Sequence, residues 1–215
     1  MIDFKFVSHA FRKNIVLSNI NLHFDQGELV TIFGPSSSGK TTLLKLIHGF
    51  FPPSSGQLIV LGRNMNNISS SSLSAIRRKI GLVMDEFGFL EDRTLEENLE
   101  AILSYLPKYE RKVRIDYILN VVELTPKRKE KVNFLSGSQR KQFALARAVI
   151  IDPAVVLFDE GLVGLDRKKE ELFIDILNKV NENGSLVIIT SSTQEKPSLF
   201  PRRREIVLRE GRIEE

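Results

Sequence analysis

One stretch restricts this chain more than any other. Gly34-Pro35-Ser36-Ser37-Ser38-Gly39-Lys40-Thr41 satisfies the pattern G-x-x-x-x-G-K-[ST] at every position. It stands between an apolar strand, Glu28 to Phe33, and a segment from Lys40 to Phe50 whose Leu43, Leu44, Leu46 and Ile47 recur at helical spacing. A glycine-bounded loop between strand and helix turns successive backbone N–H groups into one cavity, and the positive end of the following helix adds to it. The pattern therefore predicts a phosphate site built by Gly34, Pro35, Ser36, Ser37, Ser38, Gly39, Lys40, Thr41 and Thr42. Lys40 is expected to reach the terminal phosphates, and the Thr41 hydroxyl to ligate Mg²⁺.

The rest of the chain agrees with a parallel α/β core. Ala154 to Phe158 and Leu186 to Thr190 are strand-length apolar runs. Ser138 to Ile150 and Lys168 to Val180 carry helical spacing between and before them. Upstream, Ile2, Phe4 and Phe6, then Ile15, Leu17, Ile20, Leu22 and Phe24, alternate as an antiparallel β layer. Gln57 to Gly62 and Ile80 to Met84 read as further strands, with the serines at 69 to 72 as loop and N-cap of a helix over Leu73 to Lys79. From Thr94 to Phe134 the period is helical throughout, an inserted helical subdomain. The expected division is one domain, 1–215, with 1–84 and 149–215 as core and β layer and 85–148 as helical insert.

Composition narrows the setting. The chain has 215 residues, 42% of them hydrophobic and 27% charged, enough for one sizeable core. The absence of cysteine excludes disulfides and thiolate metal sites. No run approaches the length of a membrane helix, and a cleaved signal is not expected at the start. A net charge of +4 permits contact with lipid or nucleic acid without demanding either.

Two further motifs join the loop. The strand Ala154 to Phe158 ends in Asp159-Glu160; Asp159 could hold the metal, and Glu160 could orient or deprotonate an attacking water. Leu135-Ser136-Gly137-Ser138-Gln139 opens the helix directly upstream, which carries Ala144-Leu145-Ala146-Arg147-Ala148. With these three motifs in order, the chain resembles the nucleotide-binding subunits of ABC transporters, whose LSGGQ signature precedes the second acidic strand. The resemblance implies a P-loop α/β fold, ATP and Mg²⁺ as ligands, and head-to-tail pairing with a second copy or a paralogous subunit. In that pairing Ser136, Gly137, Ser138 and Gln139 would close on the partner's nucleotide, with Asp166 as the D-loop aspartate. It also implies an integral membrane partner and a place on the inner face of the cell membrane. Phe11 falls where the family stacks an aromatic ring on adenine, with Phe6 the next candidate. Phe87, Phe89 and Leu90 fall where the membrane subunit docks. Within the family the chain looks most like the FtsE, LolD and MacB branch, FtsE-type cell-division ATPases with an FtsX-like partner in particular. Lipoprotein or peptide export, a non-hydrolysing ATP switch, and action on nucleic acid (disfavoured) stand as alternatives.

Ser138 stands where the family has its second signature glycine, and its Cβ is expected to crowd the phosphate slightly; three further departures matter more. The lid glutamine falls on Asp85, a metal candidate. Two unit charges about 4 Å apart repel by roughly 4 kcal/mol at an effective dielectric of about 20, so Asp85 should not face the γ-phosphate directly. The switch histidine falls on Ser192, too short to reach the γ-phosphate without water. Losing such a donor typically costs on the order of 10² to 10³ in rate. Gly161 to Gly164 replaces a proline-containing turn and is expected to loosen the backbone behind Glu160. Sound binding with slow or partner-dependent hydrolysis follows. His9, His23 and His48 are read as structural or surface residues, and Lys127 to Lys131 and Arg202 to Arg204 as solvated charge runs.

Overall fold

The computed structural model describes residues 1–84, 88–192 and 203–214. Two sheets lie at its centre. The first is antiparallel, in the order β2-β1-β4-β5, from β1 (Ile2–Phe11), β2 (Asn14–Phe24), β4 (Ser55–Val60) and the short β5 (Arg63–Asn64). The second has six strands, β10-β9-β3-β8-β7-β6: β3 (Leu29–Phe33), β6 (Ile80–Val83), β7 (Val155–Asp159), β8 (Leu186–Ser191), β9 (Arg204–Arg209) and β10 (Arg212–Glu214). All neighbours in it are parallel except β10, which returns antiparallel on β9.

The second sheet is covered on both faces, which explains why its strands are unbroken apolar runs. Period two then divides each strand between two cores. Val155, Leu157, Leu186 and Ile188 face a core shared with the β layer and α1 (Lys40–His48). Val156, Phe158, Val187 and Ile189 face a core shared with α3 (Leu95–Ile102), α4 (Lys108–Val121), α5 (Gly137–Val149) and α6 (Arg167–Glu182). The helical insert is thus built on one face of the sheet.

Local chemistry sets the helix ends. Thr94 and Ser136 each form a capping box, with Glu97 and Gln139 respectively, and Asp166 caps α6 through the Lys169 N–H. Ser69 caps α2 (Ser70–Arg77), accepting from the Ser72 N–H, as its place in the serine run predicts.

Several expectations need correction. Strands β5, β9 and β10 are absent from the sequence-based reading, because a charge run masks the start of β9 and a three-residue strand carries no periodicity. Arg204 opens β9 and pairs across to Val30, while the Arg203 side chain is only 6% exposed and bonded to Glu205; Arg202 lies outside the described residues. The 127–131 run is equally far from a bare solvated face: Lys127 pairs with Glu130, Arg128 with Glu96 and Asp116, and Lys129 with Glu96.

His48, at the end of α1, is buried, and burial together with the nearby Arg77 cation lowers its pKa to about 4. Between its ordinary value of 6.5 and about 4, the unfolded chain binds a proton that the folded chain refuses. That stability is therefore complete above pH 6.5 and is lost as pH falls toward 4. Denaturant titrations should show His48→Gln flattening this part of the pH profile, by about 3 kcal/mol at its lower end.

Candidate nucleotide site

Gly39 and Ser37 hold left-handed backbones in the loop before α1, with φ of 106° and 67°. Glycine is required at 39, where a Cβ would lie 2.7 Å from the Leu17 side chain and 3.0 Å from the Val16 carbonyl. The Lys40 stem is buried. Its ammonium donates to the Gly34 carbonyl at 2.7 Å and the Pro35 carbonyl at 3.0 Å, and lies 3.3 Å from a Glu160 carboxylate oxygen. Three acceptors match the three protons of an ammonium. An entering phosphate must therefore take Lys40 over from groups that already satisfy it. The Ser38 hydroxyl beside it is buried and has no protein partner. A phosphate chain in the loop offers acceptors of the kind such groups need.

The carboxyl ends of the strands bring the two acidic residues to this loop. Asp159 accepts from Thr41 Oγ1 at 2.8 Å and from Thr190 Oγ1 at 2.6 Å, linking α1, β7 and β8. Glu160 has φ of 47°, held there by its N–H donating to the Thr190 carbonyl and hydroxyl, both at 3.2 Å. Ser192 Oγ donates to the other Glu160 oxygen at 3.3 Å. Thr41 and Asp159 are adjacent hard oxygen donors, a set that suits Mg²⁺ when phosphate oxygens complete it. Among the described residues no three His, Cys, Asp or Glu side chains form a metal cluster by themselves. Asp85, the remaining metal candidate, lies outside the described residues, as does Phe87.

The second motif is a helix start. Ser136 and Gly137 are exposed, and Ser136 Oγ accepts from the Gln139 N–H at 3.3 Å while the Gln139 side chain accepts from the Ser136 N–H at 3.0 Å. Ser138 Oγ accepts from Lys169 Nζ at 2.6 Å. Asp166 is the N-cap of the helix that carries Lys169. Its carboxyl sits below its ordinary range, chiefly because it accepts the Lys169 backbone N–H. Phe11 is half exposed, with its ring edge-on to His9 and Phe51 at 4.7 and 5.2 Å. Phe6 is exposed at a left-handed position of β1.

The model of the ABC transporter family matches residues 17–163. The methionine import ATP-binding protein MetN of Geobacillus kaustophilus (strain HTA426) is 33% identical over 80% of this chain and 51% of its own length. MetN of Photorhabdus laumondii subsp. laumondii is 35% identical over 86% of this chain and 54% of its own. Among solved structures, the dimeric cassette MJ0796 in a post-hydrolysis state with ADP and Pi superposes with a TM-score of 0.91 at 31% identity. That match covers 100% of this chain and 97% of that one. This chain belongs to the ABC transporter ATP-binding family. It spans about half the length of the curated relatives it matches. Those relatives are methionine import ATP-binding proteins, so the narrower FtsE, LolD or MacB placement has no support from them.

With the ABC fold in hand, one departure reads differently. Gly161 does not loosen the turn behind Glu160: a Cβ there would sit 2.3 to 2.8 Å from the buried Phe158 ring. The turn is tied by Val163 N–H to the Glu160 carbonyl at 3.2 Å and by Lys141 Nζ to the Val163 carbonyl at 2.7 Å. Phe89 is engaged as well, packed on Phe143 at 5.2 Å with the guanidiniums of Arg140 and Arg147 over its ring, while Leu90 is exposed.

Sequence reasoning missed the supports of the loop. Thr190 bonds the Asp159 carboxylate and the Glu160 backbone N–H, and the turn between β9 and β10 braces the loop from behind. The Gly211 N–H donates to the Ser38 carbonyl at 3.1 Å, and its own carbonyl accepts from the Ser18 N–H at 2.8 Å. The signal available was Glu210-Gly211, a hairpin turn pair followed by alternating residues. A Cβ at Gly211 would lie 2.3 Å from the Val16 carbonyl, at φ of 73°. Gly211→Ala should therefore destabilise by about 1–3 kcal/mol and lower nucleotide affinity. Gly62→Ala, where φ is 75° with open space around it, should cost less and leave affinity unchanged. Denaturant unfolding and calorimetry with nucleotide measure both.

Proposed function

We propose that this chain is an ATP-binding subunit of a membrane-associated ABC complex, in which ATP closes two subunits head to tail and hydrolysis is slow until a membrane partner assists. The observation that carries it is the meeting of Lys40, Thr41, Asp159 and Glu160 at the strand ends. Lys40, Thr41 and the loop amides would hold the phosphates of ATP, and Phe11 the base. Thr41 and Asp159 would hold Mg²⁺, which when bound offsets the charge on the phosphate oxygens. Glu160 would take the proton of the attacking water. The turn from Ser136 to Gln139 would meet the nucleotide of a second copy or a paralogous subunit, with Asp166 beside it.

Slow turnover is supported by where Glu160 is bonded. Its carboxylate is shared between the Lys40 ammonium and the Ser192 hydroxyl. Ser192 is thereby committed to the base and leaves the γ-phosphate without the donor that a longer side chain would bring. The partner is a permease-like membrane subunit, which places the chain at the cytoplasmic face of the membrane. The MetN relatives favour import of a small solute as the work done. No helix among the described residues is long and apolar enough to cross a membrane.

Purified chain should bind Mg-ATP by calorimetry and release phosphate slowly; tens of turnovers per second without help would overturn the proposal. Ser192→His should raise the single-turnover rate by about tenfold or more. Glu160→Gln should hold ATP unhydrolysed and shift the protein to a dimer in sedimentation. Absence of both binding and dimerisation would dismiss the ABC mechanism for this chain.

A further inference from the structure

The signature of this chain has a serine, Ser138, where the family has its second glycine, and that serine touches a lysine. Lys169 Nζ donates to Ser138 Oγ at 2.6 Å, reaching from the first turn of α6 to the first turn of α5. The other polar group close to the ammonium is Asp166 Oδ2, at 3.6 Å, beyond hydrogen-bond distance. Among the described residues nothing else takes its two remaining protons.

The electrostatics of the spot are unbalanced. Arg167, Lys168 and Lys169 share the first turn of α6 with Glu170, at the helix's positive end, where cations are disfavoured. The first two are exposed and paired with Glu171 and Glu123. Lys169 is the sheltered one, 27% exposed, lying between the positive ends of two helices. Against two helix ends and the ammonium stand the Asp166 carboxylate at 3.6 Å and, in the same turn, Glu170. A cavity of about 430 Å³ opens on the Ser138 side of the pair; Ser138, Arg140, Lys141 and Asp159 line it, and Lys169 reaches it only through Ser138.

We propose that Lys169, anchored by Ser138, is a binding residue for the terminal phosphate of the nucleotide held by the opposing subunit. The inference rests on the head-to-tail pairing proposed above. With its lone pair bonded to the ammonium, the Ser138 hydroxyl keeps its own proton for a phosphate oxygen, and the bond from Lys169 makes that proton a stronger donor. The pair thus supplies a charge and a donor on the signature side, in a chain whose own switch position has Ser192. A serine in place of glycine, and a cation in the wrong turn of a helix, are both accounted for by one anion.

The test uses the full chain in the Glu160→Gln background, with ATP-driven dimerisation measured by sedimentation and nucleotide affinity of the isolated subunit measured separately. Lys169→Met and Lys169→Gln should each weaken the dimer by about tenfold per site, the loss of one charge-assisted hydrogen bond. Lys169→Arg should restore much of it. Ser138→Ala should weaken it too, and adding it to Lys169→Met should cost little more. The salt dependence of dimerisation should shrink when the charge is removed. Unchanged subunit affinity would report intact folding. Full dimerisation by Lys169→Gln, which can still bond Ser138, would make the contact merely structural and overturn the proposal. So would independent, additive losses in the double variant. Failure of the Glu160→Gln parent to dimerise at all would instead overturn the pairing itself, and this inference with it.

Discussion

Asp159 accepts two hydroxyls at once, from Thr41 and from Thr190, and the arrangement of the site follows from that double bond. The carboxylate stands half-buried at the end of a strand whose other four residues are buried, and both of its oxygens find donors nearby. One donor belongs to the helix after the phosphate loop and the other to the neighbouring strand. The result is a fixed angle between α1, β7 and β8 at the place where the sheet meets ligand. Thr190 extends the control by one residue, since its hydroxyl and carbonyl also take the Glu160 N–H and so hold that residue at positive φ. Strain of this kind in a non-glycine residue persists only where its surroundings over-determine it.

Lys40 is the second constraint, acting in opposition to the first. Its ammonium satisfies two loop carbonyls and pairs with Glu160, so the loop is stabilised by the group that must later serve the nucleotide. Phosphate binding is then an exchange of partners rather than a simple gain. In the proposed mechanism the exchange would also free Glu160 from its cation, coupling the arrival of the γ-phosphate to the availability of the base. Ser192 moderates this by keeping one carboxylate oxygen bonded after Lys40 leaves.

Much of this was legible in the sequence, for physical reasons that differ by residue. The loop from Gly34 to Thr41 has a spacing that only a strand–turn–helix can use, and the buried strands announce themselves as unbroken apolar runs because both faces are covered. The capping boxes at Thr94 and Ser136 follow from side chains three residues apart. What could not be read was anything that depends on distant segments meeting. Gly211 supports Ser38 across 173 positions of sequence, and Thr190 reaches Asp159 from the neighbouring strand. The turn at Gly161 was misread because glycine was taken as freedom, whereas its lack of a side chain is what lets the backbone lie on Phe158. Likewise the charged run at 127–131 is polar in composition yet bonded in space, since Glu96 and Asp116 come to it from other helices.

The departures from family pattern form a connected set when charge is followed across the fold. Ser192 gives its hydrogen bond to Glu160, and in the proposed mechanism would leave the phosphate without a donor there. Ser138 adds a side chain to the signature turn, and Lys169 brings a cation to it. If head-to-tail closure aligns the two surfaces, the donor lost on the P-loop side of one subunit is replaced by one on the signature side of the other. Such a site would respond to dimer formation more steeply than one carrying its own donor, because its electrostatic complement arrives only with the second subunit. A chain arranged in that way is suited to holding ATP across an interface and to hydrolysing it when a membrane partner draws the two halves into register.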